Sequence, residues 1–336
     1  MRGAIALQTA FCILAVDFHL FPRVGAKTLT FGHSVMDLGV GAVVVAGALT
    51  RRRTRARADD CHTDASPSRR TLTRQAPLLL AAVGRLLAVR AASYHEVHSE
   101  YGVHWNFFFT LAIVAVLTPL IEPRSAAWCA VAAGVVLVLH QAALSHLGVS
   151  VYVQLAPRTS LLAANKEGLC SLPGYLALAL AGSAASGVLF GARGIYGGRT
   201  RGGARSVSLV GFASLVFWAG ALVSDQWVER TSRRLCNAAY VLWVLAQVGL
   251  ALAVAMARDA LHGGGTDTSP PPPPLLEAVN RHPLVVFLVA NLLTGAVNLS
   301  MDTLAASHAL AAAVLTAYMV LVCISAVALE RHEKVV

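Results

Sequence analysis

Charge is what this chain has least of. Only 13% of its 336 residues are Asp, Glu, Lys or Arg, whereas a soluble domain carries about 25%. So little charge cannot clothe a water-facing surface, and a hydrophobic content of 56% is more than one soluble core can hide. Aromatics are also scarce, at 7%, so the apolar bulk is aliphatic. The six cysteines (Cys12, Cys61, Cys129, Cys170, Cys236 and Cys323) form no CxxC pair. That removes the spacing expected of a zinc site or a disulfide framework, and the cysteines read as small hydrophobes. Acids number 17 against 27 Lys and Arg, a formal charge of +10. No nucleic-acid-binding module accompanies this excess, and no nucleic-acid partner is expected. Basic clusters are ordinary on the cytoplasmic loops of membrane proteins.

Long apolar runs are what the chain has in quantity, with a mean hydropathy of +0.63. A span needs roughly 20 apolar residues to cross a ~30 Å hydrocarbon layer. Ten runs qualify or come close: Ile5–Leu20, Ser34–Thr50, Leu72–Ala92, Trp105–Ile121, Ala126–Leu147, Leu172–Phe190, Val207–Val223, Leu235–Met256, Leu284–Leu299 and Leu304–Leu329. The expectation is an all-α, polytopic transmembrane protein, one integral-membrane domain over residues 1–336 in contact with membrane lipids. Its connections include a basic cytoplasmic loop at 51–74 and a Pro/Gly-rich loop at 259–282. Arg51–Arg74, Gly263–Pro274 and Gly191–Arg205 read as linkers by composition. With the arginine-rich loop in the cytoplasm, most Lys and Arg fall on that side. The opposite side holds the chemically dense connections: DFHLFPRVGAKT, SYHEVHSEYGVHWN, APRTSLLAANKEGLCSLPGY and SDQWVERTSRRLCN. Loops of that composition are where a site is sought.

Asp17 ends the first apolar run and Lys27 follows across Phe21-Pro22-Arg23. Proline breaks the helix, so the chain can fold back and bring carboxylate and ammonium together. That pair reads either as an interfacial ion pair or as a base with an oxyanion-stabilising cation. Asp37 in SVMDLGVGAVVV is an intramembrane acid, functional by default, yet it sits where a helix dipole favours an acid. His95, Glu96, His98, Glu100, His104 and Asn106 offer a general base, with hydrogen-bonding interfacial histidines as the plainer reading; no metal site is expected, because further ligands are not evident. Asn165-Lys166-Glu167 stands just before one span, and Arg233, Arg234 and Asn237 open another; such cations at a membrane face suit a lipid phosphate or headgroup anchoring. Asn291, Thr294, Asn298, Ser300 and Asp302 form a late polar stripe that either lines a cavity or locks helices together. Residues alone leave two classes open: an enzyme acting on a lipid headgroup, or a transporter or scramblase of a lipid-linked substrate. A transporter places its charges near the midplane on repeated halves; here charges gather at one face and no repeat is visible.

The same stretches carry a resemblance. ILAVDFHLFPRVGAKT with SVMDLGVGAVVV, then EYGVHWNFFFTL, ANKEGLCSLPGYLAL, SRRLCNAAYVLWV and NLLTGAVNLSMDTL resemble, in order, blocks of the glucosaminyl-phosphatidylinositol inositol acyltransferases of glycosylphosphatidylinositol (GPI) anchor synthesis. Val24-Gly25 and Leu29 depart from that family's FPRRFAKTE, so the loop has one arginine fewer for a phosphate or CoA contact. The family is expected to have thirteen spans, and the chain thus reads as an N-terminally shortened member. The resemblance implies transfer of a fatty acyl chain, usually palmitoyl, from acyl-CoA to the inositol 2-hydroxyl of glucosaminyl-phosphatidylinositol, in the endoplasmic reticulum membrane. It implies no tightly bound cofactor, only acyl-CoA (palmitoyl-CoA) as co-substrate. It makes Asp17 and Lys27 the expected catalytic pair. Arg23, Asp37, His104, Asn106, Asn165, Lys166, Arg233, Arg234, Asn237, Asn291, Asn298 and Asp302 are then the expected substrate contacts.

Overall fold

The computed structural model describes residues 2–58, 67–91, 99–122, 125–191, 195, 204–262 and 273–335. Each of the ten apolar runs falls on a helix: α1 (Arg2–Ala15), α2 (Leu38–Ala58), α3 (Pro67–Ala91), α4 (Phe107–Ile121), α5 (Ala126–His146), α8 (Lys166–Phe190), α9 (Ala204–Trp227), α10 (Ala238–His262), α12 (Pro283–Ser300) and α13 (His308–Val335). Three short helices lie between them: α6 (Val149–Leu155), α7 (Leu161–Ala164) and α11 (Pro274–Arg281). Among the described residues, six helices are long and apolar enough to cross a membrane, and three apolar stretches are shorter, Arg2–Ala15, Gln75–Ala88 and Phe107–Ile121. The protein is therefore all-α and polytopic.

The boundaries differ from the sequence reading in instructive ways. The segment at 51–74, read as a spacer, is helical at both ends: α2 runs on to Ala58 and α3 starts at Pro67. Arginine and alanine are good helix formers, so a charged run prolongs a helix that an apolar run has nucleated. The Pro/Gly loop at 259–282 is likewise trimmed by α10, which reaches His262, and by α11, which starts with Pro274 at its first turn, where the missing N–H costs nothing. The first run stops being helical at Ala15. Asp17 N–H and Phe18 N–H donate three residues back, to Leu14 and Ala15, and the chain tightens into turns. His95, Glu96 and His98 lie outside the described residues.

The chain divides into two compact units, 1–27 with 34–39 and 261–336, and 28–33 with 40–260. In the first, α1, α11, α12 and α13 pack around Leu14, Phe18, Val286, Ala290, Leu315, Tyr318 and Val322. The Tyr318 hydroxyl donates to the Ala10 carbonyl (3.0 Å), and the Thr294 hydroxyl lies 3.4 Å from it. One buried phenol thus ties three helices together. In the second, Tyr175, Leu178, Leu180, Tyr240, Val241 and Val244 are fully buried. Small residues set the helix spacing there: a Cβ on Gly182 would come 2.9 Å from both Ala48 Cβ and Val45 O. Buried hydroxyls stitch helices too, Ser186 of α8 to Leu49 O of α2 (2.8 Å) and Ser214 of α9 to Ala246 O of α10 (2.6 Å), as expected where lipid replaces water. The outer face of α9 exposes Leu209, Phe212, Leu215, Val216, Leu222 and Val223, a surface for hydrocarbon.

Candidate functional site

In the first unit the site is built around Asp17. It sits half-buried just past the C-terminal end of α1, where the helix presents its negative pole and a carboxylate is disfavoured. Its compensation comes from α12: Asn298 Nδ2 donates to Asp17 Oδ2 at 3.0 Å. Beyond it the chain makes a 3₁₀ turn, Arg23–Gly25, which Pro22 introduces in extended conformation and which closes with Ala26 N–H on Arg23 O. Arg23 and Lys27 are exposed on and just after this turn. Between α1 and α13 lies an apolar groove of about 550 Å³, lined by Phe11, Leu20, Phe21, Leu315, Met319 and Ile324 among others. Two of these, Leu20 and Phe21, follow Asp17 within four residues.

The other candidates of this unit do different work. Asp37 is fully buried, and its carboxylate accepts the Ser34 N–H at 3.0 Å as part of a capping box. This is the dipole-favoured cap weighed for it above. Asn291 turns back on its own helix, Nδ2 to Phe287 O at 2.7 Å. Asp302 is exposed and holds the N–H groups of Leu304 and Ala305 (3.0 and 3.3 Å) in a turn ahead of α13. Of the late polar stripe, only Asn298 reaches the carboxylate at the end of α1.

The second unit holds a larger polar cluster centred on Glu167, which the sequence offered only as the neighbour of Asn165 and Lys166. Its side chain is entirely buried. Arg158 grips it through both guanidinium nitrogens, Nη1 to Oε2 at 2.9 Å and Nη2 to Oε1 at 2.6 Å. Arg234 Nη2 adds a third bond at 2.8 Å and a fourth contact to Val153 O at 2.9 Å. Lys166 Nζ donates to Ala156 O. Arg233 pairs with Glu100 at 3.3 Å and lies 5.8 Å from the centroid of Tyr101. Burial pushes the Tyr101 phenol up, Glu100 reinforces that, and Arg233 opposes it. Buried charges survive only when paired and hydrogen-bonded in this way.

The asparagines of this unit are saturated. Asn106 caps α4 by accepting the N–H groups of Phe108 (3.1 Å) and Phe109 (3.4 Å) and donates to Ala82 O of α3 (2.8 Å). Asn165 accepts the His104 N–H (2.8 Å) and donates to Leu161 O (2.9 Å). Asn237 accepts from Ser232 and Tyr240 N–H and donates to Arg230 O and Glu229. Glu229 gathers Gln141, Ser150 and Asn237. Arg233, Arg234, Asn165, Lys166 and Asn237 all lie in this unit, and each is engaged by another residue of the protein: Glu100, Glu167, His104, Ala156 and Ser232 respectively.

These features define a class: an all-helical polytopic membrane protein with a half-buried carboxylate at a helix end beside an apolar groove. Comparison narrows it further. The GWT1 family model matches residues 1–329, and the chain belongs to that family. It is 40% identical over 322 residues to an uncharacterized protein of Arabidopsis thaliana, covering 94% of this chain and 69% of that one. It is 30% identical over 366 residues to the phosphatidylinositol-glycan biosynthesis class W protein of Dictyostelium discoideum (98% and 72%). It is 35% identical over 335 residues to the GPI-anchored wall transfer protein 1 of Schizosaccharomyces pombe (98% and 71%).

Proposed function

We propose that this protein is an acyltransferase of GPI-anchor biosynthesis, moving a fatty acyl chain, palmitoyl in the first instance, from acyl-CoA to the inositol 2-hydroxyl of glucosaminyl-phosphatidylinositol in the endoplasmic reticulum membrane. The names of the Dictyostelium and fission-yeast relatives support the pathway. The observation that carries the chemistry is the pairing of Asp17 with an apolar groove in one unit: a proton acceptor stands beside space fit for an aliphatic chain. Asp17 takes the proton of the acceptor hydroxyl as its oxygen attacks the thioester carbonyl. Lys27, exposed on the following turn, supplies positive charge for the oxyanion. Collapse of the tetrahedral adduct expels the CoA thiolate and leaves the ester.

A general base is worth ~10²–10⁴-fold, and oxyanion stabilisation a similar factor. Asp17→Ala and Lys27→Ala should therefore each lower transfer by about those factors at matched expression and membrane insertion. The measurement is ester formation by purified protein given palmitoyl-CoA and glucosaminyl-phosphatidylinositol. Parental turnover in either variant ends the assignment of that residue. A parent protein that makes no new ester but moves the lipid between leaflets is a transporter, the competing reading.

A further inference from the structure

We propose that Asn298 is the positioning residue for Asp17, an inference that rests on the base role just given. The bond between them joins positions 281 apart in sequence, Nδ2 to Oδ2 at 3.0 Å. An ionised carboxylate only accepts, so the amide nitrogen must face Asp17 and the amide oxygen must face away. That oxygen is buried and has no hydrogen-bond partner among the described residues. A residue kept only to glue helices would have both ends satisfied, as Asn106, Asn165 and Asn237 do in the second unit; the Asn280 oxygen is orphaned as well, so what sets Asn298 apart is the carboxylate that its nitrogen holds. Orphaned buried acceptors are uncommon and call for a partner that arrives later; in a site for a polyol headgroup, that partner is a hydroxyl of the acceptor.

The fold also fixes where Asn298 stands. It lies one turn beyond Thr294, whose hydroxyl donates to Ala290 O at 2.9 Å and neighbours the Tyr318 phenol bonded to α1. Helix α12 is thereby pinned against α1 one turn before Asn298, and the amide is delivered from a rigid element rather than a loop. Asp17 itself sits in a turn and is half-buried. Left alone, its carboxylate would sample several orientations; the Asn298 amide selects one and leaves Oδ1 of Asp17 for the acceptor proton. No bond is made or broken by Asn298, which acts through Asp17.

The test uses the full chain purified in detergent, with palmitoyl-CoA and glucosaminyl-phosphatidylinositol as substrates. Asn298→Leu keeps the volume and removes both polar ends. Expected is a kcat about ten- to a hundredfold lower, the range typical of supporting partners in other sites, with KM for palmitoyl-CoA unchanged and a melting temperature equal to or above the parent. Asn298→Gln, which keeps a carboxamide on a longer arm, should recover part of the loss. A purely structural asparagine predicts the opposite split: a lower melting temperature and parental kcat in the folded fraction. That result overturns the inference, as does a kcat within twofold of parent in Asn298→Leu. If Asn298→Leu does not fold, Asn298→Asp, of the same shape but without the donor, takes its place with the same expected loss of kcat. Asp17→Ala is assayed alongside. Parental turnover there sinks both the base and its positioning, whereas an inactive Asp17→Ala with a fully active Asn298→Leu sinks the positioning alone.

Discussion

The two polar clusters of this protein are built to opposite plans. Around Glu167 the charges are paired, two arginines sharing one carboxylate with a single guanidinium nitrogen, Arg234 Nε, left over among the described residues, and the three asparagines of the same unit are bonded at both ends. Around Asp17 the arrangement is open, with a carboxylate at the wrong pole of a helix, one amide to hold it and a buried oxygen left over. In a closed cluster each buried charge depends on its partner, and removing one strands the other at a large cost in stability. Open ones cost stability and are kept where a ligand completes them. Substitutions should therefore separate: in the closed cluster they change stability, in the open one they change turnover.

The largest effect that could break this contrast is at Asp17 itself. Asp17→Ala should cost the ~10²–10⁴-fold of a lost base with no loss of melting temperature, since it removes a carboxylate from an unfavourable helix pole. Glu167→Ala is its counterpart. It leaves Arg234, 8% exposed, buried without its carboxylate, and takes from Arg158 both of its bonds to Glu167. Loss of one partner of a buried pair costs about 3–5 kcal/mol, so the variant should express poorly and melt well below the parent. A well-folded Glu167→Ala with raised KM for the acceptor would instead mark these arginines as headgroup contacts and collapse the contrast.

How far the sequence foretold this depends on what kind of interaction is asked about. The ten helices were legible because hydrocarbon demands long apolar runs, and that demand is local. Asn106 stands before three phenylalanines, a place where a cap is expected, yet the sequence reading took it for a substrate contact. The continuation of α2 through its arginines was not legible from composition, because helix propensity and linker composition point opposite ways for an Arg/Ala run. Glu167 was invisible as a hub: its partners Arg158 and Arg234 come from different connections, and only the fold brings 158, 167 and 234 together. Asp17 and Asn298 were each singled out, but their bond spans nearly the whole chain and no spacing rule reaches that far.

Smaller effects sharpen the contrast within the second unit. A Cβ on Gly174 would sit 2.1 Å from Cys236 O, and Cys236 itself holds a positive φ of 48° in the turn that presents Arg233 and Arg234. Backbone cannot yield as a side-chain tip does, so Gly174→Ala should cost about 1–3 kcal/mol, the usual range for overpacking. The melting temperature should fall while kcat per folded molecule stays at the parental value. A fall in kcat instead would mean that the turn at Cys236 shapes the reacting groups.

The smallest effect separates the two bonds of one residue. Asn106→Ala loses both the α4 cap and the donor to Ala82 O, and a cap alone is worth typically ~1 kcal/mol. Asn106→Asp keeps an oxygen for the N–H groups of Phe108 and Phe109 and adds a negative charge at a helix N-terminus, which the dipole favours. It loses the Nδ2 bond to α3 and leaves the buried Ala82 carbonyl without this donor. If the asparagine is chiefly a cap, Asn106→Asp should melt near the parent and Asn106→Ala below it. If the tie between α3 and α4 dominates, the two should fall together. The second outcome is expected, because Asn106→Asp turns a carboxylate oxygen towards the buried Ala82 carbonyl, and two acceptors facing each other in an apolar interior cost more than the helix end gains from a better charge.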